Sequence, residues 1–136
     1  MKKPEQNLWQ RVKKHLPQNC HATRVENLAV AGVPDVHVAS HGAMFWIELK
    51  TTKDNALNIR KAQIAWHMGY FGAGGVAFFL VARAKQGDLF LFHGRDALKL
   101  ASNGLHNMEQ SAVYHGTSLQ ACVDRVLRLA GVYSEA

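Results

Sequence analysis

Two short segments of alternating polarity, joined by a glycine-containing turn, constrain this chain more than any other feature. Asp35-Val36-His37-Val38-Ala39 alternates, and so does Met44-Phe45-Trp46-Ile47-Glu48-Leu49-Lys50, with Ser40-His41-Gly42-Ala43 between them. Alternation at period two marks strands with one buried face. A two-residue turn at His41-Gly42, with Gly where a positive φ is tolerated, predicts a β-hairpin. In that register Ser40 pairs with Ala43, Val38 with Phe45 and Asp35 with Glu48. Val36, Val38, Phe45, Ile47 and Leu49 then share an apolar face, because successive strand residues point to opposite sides. Asp35, Glu48 and Lys50 share the other.

That polar face needs a reason. Carboxylates directly opposite each other on a sheet have Cβ atoms about 5 Å apart and repel. Lys50 relieves part of the repulsion. A divalent cation relieves more, and hard oxygen donors suit Mg²⁺ or Mn²⁺. An edge-strand salt bridge around Lys50 accounts for the same spacing. Spacing by itself leaves both open.

The segment Pro34-Asp35, followed after twelve residues by Glu48-Leu49-Lys50, resembles the PD-(D/E)XK nuclease signature. Gly32-Val33-Pro34-Asp35-Val36, Phe45-Trp46-Ile47-Glu48-Leu49-Lys50 and Gln63-Ile64-Ala65-Trp66 resemble its virus-type VRR-NUC and Holliday-junction-resolvase-like branch. The resemblance covers most of the chain, from residue 5 to residue 92. It implies an α/β fold in which a mixed central sheet is flanked by helices, a restriction-endonuclease-like αβββαβ core, here with an added C-terminal helix. It also implies a Mg²⁺-dependent (or Mn²⁺-dependent) endonuclease that hydrolyses DNA phosphodiester bonds. Asp35 and Glu48 would hold the ion, aided by the Leu49 carbonyl. Lys50 would orient the nucleophile and offset developing negative charge. Gln63 would reach the metal water or the scissile phosphate. The family tends to carry a Glu on its first helix, and Glu5 and Glu26 are both candidates. Lys13, Lys14, Lys53, Arg60 and Lys61 would contact flanking phosphates, which positions DNA without reading its sequence. Branched DNA as substrate and a homodimer with two active sites follow from the likeness to junction resolvases.

Charge agrees with a polyanionic partner. The formal net charge is +6 and the isoelectric point about 9.6, which favours phosphate by attraction and counterion release. At 136 residues the chain is expected to form one nuclease domain over residues 1–136. The longest apolar run, Val76 to Ala82, is too short to cross a membrane. Met1-Lys2-Lys3-Pro4 leads into a polar stretch, not an apolar signal-peptide core. Cys20 and Cys122 make neither a metal spacing nor a disulfide framework, so a reducing cytoplasmic setting is expected, a host's cytoplasm if the chain is viral. His37 and His41 fall on a strand and a turn rather than one helix face, which argues against zinc. His37 reads as a neighbour of Trp46, within reach of substrate or metal water.

The remaining pattern predicts a scaffold in the order αβββαββα. Pro4 opens a helix carrying Leu8, Val12 and Leu16, with Trp9 beside them, up to Pro17. A strand over His21 to Val30 leads into the Gly32-Val33-Pro34 turn. A helix from Ile59 to Tyr70 has the apolar stripe Ile59, Ala62, Trp66 and Tyr70, and stops at Gly72-Ala73-Gly74-Gly75. Gln63 falls on that stripe, where a buried amide needs partners. Val76 to Ala82 reads as a strand buried on both faces, and Leu89 to Phe92 runs back. Thr117 and Gln120 have capping-box spacing before a helix ending at Ala130.

One other enzyme type and two other classes fit less well. A general or nicking endonuclease would share the chemistry without junction preference. A non-catalytic nucleic-acid-binding module would have lost Asp35, Glu48 or Lys50. A small basic structural protein gives no reason for Gln63.

Overall fold

The computed structural model describes residues 3–25 and 30–133. A six-stranded sheet in the order β1-β2-β3-β4-β5-β6 divides it. The strands are β1 (His21–Arg24), β2 (Val36–Ser40), β3 (Ala43–Thr52), β4 (Ala77–Arg83), β5 (Asp88–His93) and β6 (Tyr114–Gly116). Neighbours are antiparallel except β3 and β4, which run parallel because a helix connects them. The helices are α1 (Lys3–Lys13), α2 (Lys61–Gly72), α3 (Ala97–Asn103) and α4 (Leu119–Leu129). The expected mixed sheet flanked by helices is what the chain forms.

The β2–β3 hairpin has the register read from the sequence: Ser40 with Ala43, Val38 with Phe45, Val36 with Ile47. His41 (φ 51) and Gly42 (φ 82) both take positive φ, as a type I′ turn requires. Val36, Val38, Phe45, Ile47 and Leu49 are buried. They pack with Leu8, Trp9 and Val12 of α1 and Leu119, Cys122, Val123, Val126 and Leu127 of α4. The opposite face carries Phe79, Val81, Phe90 and Phe92, covered by Ala97, Leu100, Leu105 and Met108. Both faces of β4 and β5 are therefore sealed, which explains their unbroken apolar runs.

Several boundaries differ from the sequence expectation. Helix α1 ends at Lys13, so Leu16 packs from a turn and not from a helix. Strand β1 is four residues long, and Val30 lies in a bend. Helix α2 starts at Lys61, and its buried residues are Gln63 and His67, not Trp66 and Tyr70. Gln63 faces inward onto Glu48, and His67 packs its ring on Phe79 of β4. Helix α4 is capped by Ser118, whose side chain accepts the Ala121 amide, so the Thr117–Gln120 capping box does not form. Helix α3 and strand β6, seven and three residues long, are too short for a periodic signal in the sequence. Among the described residues, no helix is long and apolar enough to cross a membrane.

Candidate active site

The polar face of the hairpin meets the first turn of α2. The β2–β3 ladder ends at Val36–Ile47, and one step further along Asp35 lies beside Glu48. Asp35 Oδ2 accepts the Leu49 amide at 2.8 Å. The Asp35 carbonyl accepts from Val25 at 2.7 Å, which continues the β1–β2 pairing. Gly32 brings this turn against α2. Its φ is +86, and a Cβ there would overlap the Ala62 carbonyl, so only glycine lets the Gly32–Pro34 turn approach Gln63 so closely.

Gln63 links the parts. Its Nε2 donates to Glu48 Oε2 at 3.3 Å. Its Oε1 accepts from Lys50 Nζ at 3.2 Å and from the Arg60 amide at 2.9 Å. The second bond is half of a capping box, so one side chain both starts the helix and tethers the site. Lys50 Nζ also donates to the Asn58 carbonyl at 2.6 Å and lies 3.8 Å from Glu48 Oε2. Glu5 reaches in from α1, where its carboxylate accepts the Thr51 hydroxyl. Pro4, Glu5, Asp35, Glu48, Leu49, Lys50, Thr51, Asn58, Arg60 and Gln63 line a cleft of about 410 Å³.

Glu48 is 3 % exposed, and its Oε1 has no hydrogen-bond partner among the described residues. A buried ionised oxygen without a partner is costly. Burial first, then the Asp35 charge, pushes its carboxyl up to about 9, against the pull of Lys50. Burial likewise draws the Lys50 ammonium below its ordinary value, although Glu48 and Asp35 oppose that. Glu48 and Asp35 thus set two carboxylates side by side in one polar cleft, as a divalent-cation site does. Among the described residues, no group of three His, Cys, Asp or Glu side chains is placed so that it could hold a metal ion. Two carboxylates plus a main-chain carbonyl still suit Mg²⁺, which keeps several waters and takes phosphate oxygens from substrate.

The structure brings together Asp35, Glu48, Leu49, Lys50, Gln63 and Glu5, with Arg60 at the rim. Glu26 lies outside the described residues. Lys53 and Lys61 are exposed on the segments flanking the cleft. Lys13 and Lys14 are not in it. They are exposed at and just beyond the far end of α1, with Lys13 about 12 Å along the axis from Glu5 at 1.5 Å per residue. Lys13 instead lies over the Trp9 ring, 6.0 Å from its centroid.

Three residues had escaped the sequence reading. Thr51 and Asn58 enter through long-range hydrogen bonds that leave no local pattern. His67, one turn beyond Gln63, is 1 % exposed, and neither ring nitrogen has a partner among the described residues. It packs on Phe79 at 4.3 Å, and burial, then the Lys50 charge, lowers its pKa to about 4. His37 meets Trp46 edge-on at 4.8 Å, as expected.

A profile of the archaeal Holliday junction resolvase (hjc) family matches residues 20–130. The chain belongs to that family. The family lies within the PD-(D/E)XK nuclease superfamily, and its members are metal-dependent endonucleases that hydrolyse DNA phosphodiester bonds. A structure-specific, junction-cleaving endonuclease, the main expectation from the sequence, accords with that family. Among solved structures, the Holliday junction resolvase Hjc of Archaeoglobus fulgidus, from an archaeal hyperthermophile, is similar. It is 19 % identical, with 67 % of this chain and 74 % of that chain covered and a TM-score of 0.49. A search of curated proteins found no match.

Proposed function

We propose that this chain is a single nuclease domain that cleaves four-way and other branched DNA at the Asp35–Glu48–Lys50 cleft, with Mg²⁺ or Mn²⁺ held by Asp35, Glu48 and the Leu49 carbonyl. The observation that carries the proposal is the buried, unsatisfied Glu48 oxygen beside Asp35, with Lys50 and Gln63 bonded around it. Bound there, a divalent ion supplies Lewis acidity toward the scissile phosphate and toward an attacking water. Lys50, fixed by Gln63 and Asn58, places a positive charge where the phosphate gains negative charge. Gln63 holds Lys50 and Glu48 in one orientation. Glu5, tied to Thr51, adds a carboxylate at the mouth. Arg60, Lys53 and Lys61 contact neighbouring phosphates, and Lys13 and Lys14 serve a more distant stretch of DNA.

The chain acts as a homodimer in this proposal. Met44, Met68 and Phe71 are exposed large hydrophobics. Trp46, Trp66 and Tyr70 form a continuous ring contact, with Trp66 stacked on Tyr70 at 4.6 Å and edge-on to Trp46 at 5.6 Å, and Met44 lies two residues before Trp46 on the same strand face. This face adjoins the cleft, since Trp46 precedes Glu48 by two residues on one strand face. A second copy docked by a two-fold axis would bury it and place two sites against two strands. Sedimentation tests the dimer. The VRR-NUC, virus-type affinity is a finer placement within the superfamily and rests on sequence resemblance alone. An intracellular setting, cytoplasmic or in a viral host's cytoplasm, follows from a DNA substrate.

Incubating linear, nicked, flapped and four-way DNA with Mg²⁺, Mn²⁺, Ca²⁺ or EDTA tests the proposal. Paired cuts on the four-way DNA, dependent on Mg²⁺ or Mn²⁺, are expected. Equal cleavage of linear duplex would favour a general endonuclease.

A further inference from the structure

Arg83 and Asp88 form a buried ion pair outside the cleft, 8 % and 7 % exposed. Arg83 Nε donates to Asp88 Oδ1 at 2.9 Å and Nη2 to Oδ2 at 2.6 Å. His115 Nε2 lies 2.7 Å from Oδ2. The Phe90 ring stacks on His115 at 4.0 Å, and the Arg83 guanidinium sits 4.8 Å from the same ring. The guanidinium plane is thus fixed by two hydrogen bonds and an aromatic neighbour. A buried pair of this kind is weak evidence for stability, because desolvation offsets most of the attraction. One of the donors it leaves over is aimed at the β3–α2 segment: Arg83 Nη1 donates to Asn55 Oδ1 at 2.9 Å.

Asn55 lies in the segment between β3 and α2. Its main-chain carbonyl accepts the Leu105 amide at 2.9 Å. Gly104, at φ +59, makes that approach possible, since a Cβ there would overlap the same carbonyl. Leu57 and Ile59 anchor the segment by packing against the core on that side of the sheet. The bond from Arg83 adds a side-chain tie at Asn55 itself. Three residues on, the Asn58 carbonyl accepts from Lys50 Nζ. Five residues on, the Arg60 amide bonds Gln63.

We propose that Asn55 and Arg83 are positioning residues of the nuclease: the Asp88–Arg83–Asn55 chain sets the β3–α2 segment so that Asn58 and Arg60 hold Lys50 and Gln63 in place. Asn55, Arg83 and Asp88 do not line the cleft. They act on rate through the geometry of Lys50, and so rest on the role given above to that lysine.

The test uses Asn55→Leu, which removes the acceptor, and Asn55→Asp, which keeps it. Single-turnover cleavage of a saturating four-way junction in Mg²⁺, junction affinity in Ca²⁺ and the melting temperature are measured for each. Asn55→Leu is expected to cleave about 10- to 100-fold more slowly, the range seen when a supporting residue of a metal site is removed. Junction affinity should stay at the wild-type value, and melting should fall only by the few degrees that one unpaired donor costs, with the chain still fully folded at the assay temperature. Asn55→Asp should recover most of the rate. A wild-type rate in Asn55→Leu overturns the proposal. So does a loss of rate that tracks melting or affinity, or one that Asp does not rescue, because either makes Asn55 a structural residue. Lys50→Met is the separate control: wild-type cleavage there would remove the role of Lys50 itself, whatever Asn55 does.

Discussion

Gln63 Nε2 donates to Glu48 Oε2 at 3.3 Å while its Oε1 accepts from Lys50 Nζ at 3.2 Å. One amide on α2 therefore bridges an acid and a base that lie on the same face of β3. The amide suits the task because it offers a donor to one and an acceptor to the other. A carboxylate could not donate to Glu48, and an apolar residue would leave both partners short.

Gln63→Ala should therefore lower the single-turnover cleavage rate about 10- to 100-fold, with junction affinity little changed. Affinity comes mainly from Lys and Arg on phosphates. Gln63→Glu should do worse, since it sets a further negative charge against Glu48. Quench-flow rates and filter binding check both. Equal losses of rate and affinity would make Gln63 a DNA contact instead.

Lys50→Met should cut the rate by about 10²- to 10³-fold, the scale of losing one preorganised charge-stabilising group. Mg²⁺ binding by calorimetry should change much less, because the ammonium acts on developing phosphate charge and not on the ion. Matching losses in rate and metal affinity would make Lys50 a structural partner of the carboxylates.

Stability should depend on pH through Glu48. Without metal its carboxyl is held near 9 in the folded chain, chiefly by burial, against 4.5 for the exposed group. Between those values the folded state binds a proton that the unfolded state lacks, so stability falls as pH rises. In EDTA, the Glu48 contribution should lower the melting temperature at about pH 8.5 relative to about pH 6. Glu48→Gln should flatten that slope. Mg²⁺ should stabilise more at the higher pH, because the ion and the proton compete for one carboxylate. A slope unchanged by Glu48→Gln would mean that another group sets it.

His67 makes the opposite contribution on the acid side. Burial lowers its pKa from 6.5 to about 4. As pH falls from 6.5 toward 4 the unfolded chain takes a proton that the folded one refuses, and stability drops. His67→Phe should keep the packing on Phe79 and remove that part of the acid sensitivity. Denaturant midpoints at about pH 7 and about pH 5 measure it. Identical acid loss in wild type and variant would contradict the assignment.

The hairpin was legible because a two-residue turn and strict alternation leave one register that buries Val36, Val38, Phe45, Ile47 and Leu49 together. That register places Asp35, Glu48 and Lys50 on one face before any contact is known. Gln63 was visible as a polar residue on the apolar stripe of Ile59, Ala62, Trp66 and Tyr70. Its true neighbours were not, since α2 buries Gln63 and His67 while Trp66 and Tyr70 sit toward the surface. Periodicity names the apolar stripe, but the Gln63–Glu48 bond and the packing of His67 on Phe79 mark the face that turns inward. Strand β6 is three residues long and helix α3 seven, too short for either period to stand out. Asn55, Thr51 and Asn58 act through contacts with distant residues, and no local pattern encodes those.

The most direct test is cleavage of an end-labelled four-way junction, beside a linear duplex of equal length, by wild type, Asp35→Asn and Glu48→Gln in Mg²⁺. Each substitution keeps shape and removes one negative charge from the cleft. Wild type should make paired, symmetric cuts about the branch point and leave the linear duplex largely intact. Both variants should bind the junction as tightly as wild type, or slightly more tightly, and cut neither substrate. Wild-type cutting by either variant would contradict the Asp35–Glu48 site. Linear duplex cut as fast as the junction would contradict the junction preference.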